Sequence, residues 1–219
     1  MEIIASGNTA EIMQYDQDLI CKLFHPDYPK IYVEHEFNNA KSVFRLGIKT
    51  PRAYKMVCIA GRNGILYDRV IGDALSSKIY EANKNEKAVW LNRFVDLHKK
   101  LLGHSMDDAM DYKDFLKLFA ANSAETIARI DELKDGNCLL HGDFHPGNVM
   151  VDANGDLILV DMMNICKGPA AYDIARTYFL LRNHKKLQNE YLEAMGYKLA
   201  AIMPYLEVIS LLREKEKGG

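Results

Sequence analysis

Over the first seventy residues apolar positions come in short runs broken by turn residues, the mark of strands rather than helices. Residues 3–6 lead into the turn Gly7-Asn-Thr9, and a second strand follows over 11–15. Asp16-Gln-Asp18 is another turn. Residues 19–24 form an apolar run broken only by Lys22. After Pro26-Asp-Tyr-Pro29 the period changes. Val33, Phe37, Ala40 and Phe44 recur at helical spacing, which predicts a helix over 30–46 capped by Gly47 and stopped by Pro51. Two more strands are expected over 53–60 and 65–71, linked by Gly61-Arg-Asn-Gly64.

Beyond Gly72 the pattern turns helical. Trp90, Leu91, Phe94, Val95, His98, Leu101 and Leu102 form one broad face over 86–102. A second helix is predicted over 112–133, with Phe115, Leu118, Phe119, Ile127, Ile130 and Leu133 on its apolar face. Short strands at 149–151 and 157–160 flank Asp152-Ala-Asn-Gly-Asp156, whose Asn-Gly pair signals a hairpin. Two or three helices are expected between Tyr172 and Lys217. Strands first and helices after make an α+β plan of two lobes: a small antiparallel sheet with one helix over 1–71, and a mainly helical lobe over 72–219.

Composition narrows the function. Among 219 residues, 28 are basic and 30 acidic, so the net charge of −2 leaves no electrostatic footprint for nucleic acid. The apolar fraction of 48% supports a real core, yet no run reaches the length that spans a membrane. Cys21, Cys58, Cys138 and Cys166 form no C-x-x-C pair, which argues against a disulfide framework or zinc ribbon and for a cytoplasmic protein. The N-terminus has neither a basic start nor a long apolar stretch, so no leader is expected.

The densest chemistry lies in His141-Gly-Asp-Phe-His-Pro-Gly-Asn148, followed by Asp161 at the end of the apolar run 157–160. Asp143 and Asn148 share one loop, and the hairpin brings Asp161 beside it. Phosphoryl transfer from a nucleotide asks for this set: one carboxylate to orient the attacking hydroxyl, and an amide oxygen with a second carboxylate to hold magnesium on the phosphates. A plainer role for His141 is a core histidine bonding backbone near the loop. A metal cage of His141, Asp143 and His145 would need further ligands at other strand ends.

His-Gly-Asp-x-His-x-x-Asn with a strand-terminal aspartate resembles the catalytic centre of the aminoglycoside phosphotransferase and choline kinase family, which has a kinase-like fold. Gly142, where protein kinases carry arginine, and Met162-Met163 after Asp161 point to the small-molecule members. The resemblance covers roughly residues 3 to 180 and implies ATP and Mg2+ as cofactors, Asp143 as catalytic residue, and Asn148 and Asp161 as metal ligands. It also assigns parts of the first lobe. Lys22, flanked by apolar residues and in want of an anion, would address the α- and β-phosphates. Glu34 and Glu36 are its candidate partners, and the family's Glu-(x)10-Gly-Ile-x-x-Pro spacing selects Glu36. Gly7, Asn8 and Thr9 would fold their backbone over phosphates. Residues 66–72 resemble the hinge, with Asp68 C=O and Val70 N–H meeting the adenine between Ile20 and Val160. Asp173 is expected to cap backbone around the catalytic loop, and Phe94-Val-Asp-Leu-His98 to be structural.

The expected acceptor is a hydroxyl on a small molecule: an aminoglycoside-like compound, an amino alcohol or a sugar. A polycation would want carboxylates, and Asp107, Asp108, Asp111 and Asp114 are available, although aspartates at a helix start complement its dipole in any case. An amino alcohol would want an aromatic cage, for which Trp90, Tyr112, Phe115 and Phe119 are candidates at spacings that also suit core packing. A small atypical protein kinase and a nucleotide-binding pseudokinase module are the alternatives. No nucleic acid or membrane partner is expected.

Overall fold

The computed structural model describes residues 2–120 and 123–217. The chain opens with strands β1 (Ile3–Ser6), β2 (Ala10–Gln14) and β3 (Leu19–Phe24), helix α1 (Lys30–Arg45), and strands β4 (Ala53–Ile59), β5 (Arg62–Asp68) and β6 (Gly72–Ala74). Helices α2 (Leu75–Glu81), α3 (Lys84–Leu102), α4 (Tyr112–Lys117) and α5 (Ala124–Asp131) follow. Strands β7 (Cys138–Leu140), β8 (Val149–Asp152), β9 (Leu157–Leu159) and β10 (Cys166–Gly168) precede the last helices, α6 (Ala170–Leu180), α7 (Lys185–Met195) and α8 (Leu199–Lys217). The architecture is α+β, with an antiparallel N-terminal sheet and a mainly helical C-terminal part.

Internal contacts divide the chain into two compact units, Met1–Leu75 with Gly147–Asn164 and Ser76–Pro146 with Ile165–Gly219. The hairpin of β8 and β9 thus falls in the first unit, whereas the sequence pattern places it with the helices beyond residue 71. The cause is strand pairing: β6 pairs with β8, and Gly72 lies so close to Val151 that a Cβ there would sit 2.0 Å from its carbonyl oxygen.

In the first unit the sheet runs β1-β2-β3-β5-β4. One face buries Cys21, Leu23 and Leu66, with Met13, Val57 and Ile59 against them. The other takes α1, whose buried stripe is Val33, Glu36, Asn39, Ala40 and Val43. Pro29 precedes this helix, and Gly47 ends it at φ 73. The link between β4 and β5 is the tight turn Ala60-Gly61, at φ 50 and 79, rather than the longer Gly61-Arg-Asn-Gly64 expected from the sequence. Both central residues are left-handed, as a two-residue hairpin needs. Gly64 instead lies inside β5, where a Cβ would come within 2.8 Å of Cys21 Sγ.

In the second unit α3 begins with a capping box, Asn83 and Glu86 bonding each other's backbone N–H. Its buried face is Leu91, Phe94, Val95, His98 and Leu101. The helix predicted over 112–133 is two short helices. Leu118 and Phe119 lie at 58% and 44% exposure, and Ser123 starts α5 afresh by accepting a hydrogen bond from Thr126 N–H. Tyr112, Tyr172 and Tyr205 cluster with ring centroids 4.9–6.5 Å apart. All four cysteines are free thiols. Among the described residues no helix is long and apolar enough to cross a membrane.

Candidate active site

The first unit gathers three of the expected residues. Lys22 Nζ donates to both oxygens of Glu36 at 2.8 Å and to Asp161 Oδ1 at 2.8 Å. Glu34 takes the other role its position offers, pairing with Lys30 at 3.3 Å on the helix surface. Glu36 is 1% exposed, and Tyr67 also donates its hydroxyl to Glu36 Oε1 at 3.1 Å. Burial works to lower the Lys22 pKa, but the Glu36 and Asp161 carboxylates outweigh it and hold the ammonium above its ordinary value.

Asp161 follows β9 in the left-handed conformation at φ 65. That twist ends the strand and turns the carboxylate back to Lys22. Two bonds hold its neighbours: Val160 N–H donates to Asn148 O at 3.0 Å, and Asn39 Nδ2 donates to Met162 O at 3.0 Å. Asn148 lies in the short 3-10 turn Pro146–Asn148, immediately before β8. Asp152 closes the hairpin by accepting from the N–H groups of Asn154 and Asp156. Asn148 and Asp161 supply hard oxygen donors, and the Asp161 side chain is 42% exposed. This donor set fits magnesium, which takes one or two carboxylates and leaves positions for phosphate oxygens and water. Among the described residues no three His, Cys, Asp or Glu side chains converge as a metal cage.

The remaining expected positions in this unit occupy the sheet. Gly7, Asn8 and Thr9 form the exposed turn between β1 and β2, tied by Gly7 N–H to Ala10 O at 2.9 Å and by His25 N–H to Thr9 O at 2.9 Å. Ile20 sits opposite Tyr67, and Leu19 opposite Asp68, across β3 and β5. The Asp68 carboxylate accepts from Tyr54 OH at 2.7 Å and Arg52 N–H at 2.9 Å. Val70 follows β5, and Val160 follows β9.

The second unit builds a different structure around Asp143. Asp173 is fully buried and accepts from His141 N–H and Gly142 N–H, both at 2.8 Å, and from His98 Nε2 at 3.1 Å. His98 Nδ1 in turn meets Tyr191 OH at 2.8 Å. Burial works to raise the Asp173 pKa, but these bonds and the nearby histidines bring it below the ordinary value. Thr177 Oγ1 donates to Phe144 O at 2.8 Å, and the Phe144 ring stacks on His98 and Phe94. Gly142 takes φ 74. His141 is buried and accepts from Asp143 N–H at 3.3 Å, a structural place.

Asp143 itself lies 3.1 Å from Arg176 Nη2 and 3.6 Å from His145 Nε2. Burial acts to raise its pKa, but His145 and the Arg176 guanidinium more than offset this and bring it to about 2. Arg176, Tyr67 and Asn39 were not singled out from sequence. Arg176 stands three positions after Asp173 and Asn39 three after Glu36, so helical spacing from an already chosen residue would have reached both.

The acceptor candidates do not form one site. Asp111 caps α4 by accepting from Lys113 N–H, and Asp114 lies in its first turn; Asp107 and Asp108 are exposed. Tyr112 is buried in the tyrosine cluster and donates to Lys134 O, Trp90 packs on Arg93, and Phe115 packs on Phe119. These aromatics are spent on separate contacts rather than on a cage.

Residues 97–209 match the model of the phosphotransferase enzyme family, which takes in the Asp143 loop, Asn148, Asp161 and the α6 face. The chain belongs to that family and is a phosphotransferase. Solved structures share its kinase-like fold. An aminoglycoside phosphotransferase APH(3'')-Id from Streptomyces rimosus, in complex with ADP and streptomycin, superposes with a TM-score of 0.69 at 15% identity, over 92% of this chain and 90% of that one. A thermostable mutant of aminoglycoside phosphotransferase APH(4)-Ia gives 0.70 at 14% identity, over 99% and 87%. An aminoglycoside-3'-phosphotransferase of type VIII gives 0.61 at 15%, over 95% and 83%. No curated protein matches the sequence.

Proposed function

We propose that the protein transfers the γ-phosphoryl group of ATP to a hydroxyl of a small molecule. The observation that carries this reading is Lys22, an ammonium held between the buried Glu36 and the half-exposed Asp161. An ion pair whose second carboxylate is open to solvent is suited to receive a phosphate and a metal together. Asn148 and Asp161 would hold magnesium, which when bound neutralises charge on the phosphate oxygens. The backbone of Asp68 and Val70 would take the adenine between Ile20 and Val160, and the Gly7, Asn8 and Thr9 turn would lie over the phosphates.

In the transfer, the acceptor oxygen forms a bond to the γ-phosphorus while the bond to the bridging oxygen of the departing ADP breaks. The hydroxyl proton passes to Asp143. A carboxylate with a pKa of about 2 is a weak base, so it takes that proton late, once the forming O–P bond has made the hydroxyl acidic. Its earlier task is orientation. Streptomycin and gentamicin complexes among the structural neighbours support an aminoglycoside-like acceptor, and amino alcohols and sugars share its hydroxyl chemistry. Free thiols, two of them buried, favour a reducing compartment such as the cytoplasm.

The test is incubation with Mg-ATP and a panel of aminoglycosides, amino alcohols and sugars, read by mass spectrometry for a gained phosphoryl group. A product in the panel is expected. Label appearing only on protein would move the acceptor to a polypeptide. No transfer and no Mg-ATP binding would end the reading.

A further inference from the structure

Helix α6 presents Asp173, Arg176 and Thr177 at i, i+3 and i+4, on one face. Each side chain holds a different backbone group of the loop 141–144: the N–H groups of His141 and Gly142, the carbonyl of Gly142, and the carbonyl of Phe144. Arg176 does more than the other two. It is 7% exposed, its Nε donates to Gly142 O at 3.2 Å, and its Nη2 donates to Asp143 Oδ1 at 3.1 Å. One planar guanidinium therefore grips a backbone carbonyl and the carboxylate of the very next residue. Fixed at two points, it sets the rotation of the Asp143 carboxylate relative to the loop.

We propose that Arg176 is the positioning residue of the Asp143 carboxylate, aiming it at the acceptor hydroxyl. This rests on the reading of Asp143 as the residue that orients that hydroxyl. A bare charge would not serve equally. Lysine offers a compact ammonium without the fork, so it can sit beside the carboxylate but cannot hold both partners in one plane. The groups that bear on Asp143 are Arg176, His145 at 3.6 Å and His141 through the loop backbone, while Asp173 holds the two residues before it. Arg176 is the permanently charged one among the cations, so it holds the carboxylate at every working pH.

Two variants separate aim from charge. Arg176→Met removes both, and Arg176→Lys keeps the charge and loses the fork. Carboxyl carbon NMR of aspartate-labelled protein, assigned with Asp143→Asn, reads the titration of Asp143 directly. Turnover is read with the acceptor found in the panel, or as ATP hydrolysis. In Arg176→Met the Asp143 titration should rise above about 2, with His145 still holding it down in part, and kcat should fall about 100-fold. In Arg176→Lys the titration should stay low while kcat still falls at least about 10-fold, with KM for ATP unchanged in both. Full kcat in either Arg176→Met or Arg176→Lys would overturn the proposal. If Arg176→Met does not fold, the kcat of Arg176→Lys decides alone. Failure of the kinase reading is separately visible, as a wild-type melting temperature that Mg-ATP does not move.

Discussion

Removing Lys22 should harm the fold more than removing the charge of Glu36, although the two side chains share one ion pair. Lys22→Met leaves the Glu36 carboxylate 1% exposed, with the Tyr67 hydroxyl at 3.1 Å and no ammonium. Stranding one partner of a buried pair costs about 3–5 kcal/mol. Glu36→Gln keeps an acceptor oxygen for Tyr67 and Lys22, and Lys22 keeps Asp161 at 2.8 Å. Its cost is about 1–2 kcal/mol, nearer the upper figure because Asp161 is 42% exposed and water screens the contact that remains. The double variant removes both charges, so its cost should fall short of the sum by about 1–3 kcal/mol. pH gives a second reading. Burial already pushes Glu36 up, against the pull of Lys22 and Tyr67, and without Lys22 the rise is larger. A carboxyl whose folded pKa exceeds its unfolded one binds a proton on folding, so the Lys22→Met deficit shrinks as pH falls from about 7 toward 5, by at most about 1.4 kcal/mol per unit. Urea unfolding of the four proteins at both pH values measures all of this. A Glu36→Gln cost equal to that of Lys22→Met, or a Lys22→Met deficit that ignores pH, refutes the reasoning.

Asp143→Asn should lower turnover by about 100- to 10,000-fold while leaving the Mg-ATP melting shift intact; near-normal turnover would remove the residue from the mechanism. Mg-ATP at a hundredfold its dissociation constant should raise the melting temperature by roughly 5–10 °C, and Asn148→Ala or Asp161→Ala should abolish the magnesium-dependent part of that rise but not binding of adenosine alone. Asp173→Asn turns an amide N–H toward backbone donors now 2.8 Å from the carboxylate, so thermal unfolding should show a loss of about 2–4 kcal/mol, roughly 4–16 °C. Ala60→Asn should stabilise the turn between β4 and β5 by about 0.5–1 kcal/mol, since Ala60 stands at φ 50 where asparagine is better tolerated; a loss of stability in urea would show that the turn is not type I′ in solution.

Where local chemistry decided the structure, the sequence showed it. Pro29 and Gly47 bracket α1 because one sets the entry and the other supplies φ 73. Asn154-Gly155 marks the β8 to β9 turn because Gly155 must take φ 80. The pairing of Lys22 with Glu36 was legible from the motif spacing and from a lysine among apolar neighbours. Packing hid the rest. Gly61-Arg-Asn-Gly64 has the composition of a linker, but its last glycine lies inside β5, where Cys21 Sγ leaves no room for a Cβ. Helical periodicity runs on through Leu118 and Phe119, which face solvent, so the pattern joined two helices into one. Tyr67 and Arg176 look like ordinary core and surface residues until a distant loop or helix arrives beside them. Among the acceptor candidates the plainer roles that the pattern also offers are the ones seen: Asp111 caps α4, Tyr112 packs in the tyrosine cluster, and Trp90 packs on Arg93.

Glu36 and Asn39 stand one turn apart on the same stripe of α1, about 4.5 Å along its axis. The first grips the lysine and the second the carbonyl just past Asp161. Because a helix is stiff over so short a span, the spacing of these two grips is fixed by α1 itself. Lys22 and the segment that carries Asp161 therefore share one anchor, and a substitution that disturbs the α1 stripe is felt at both.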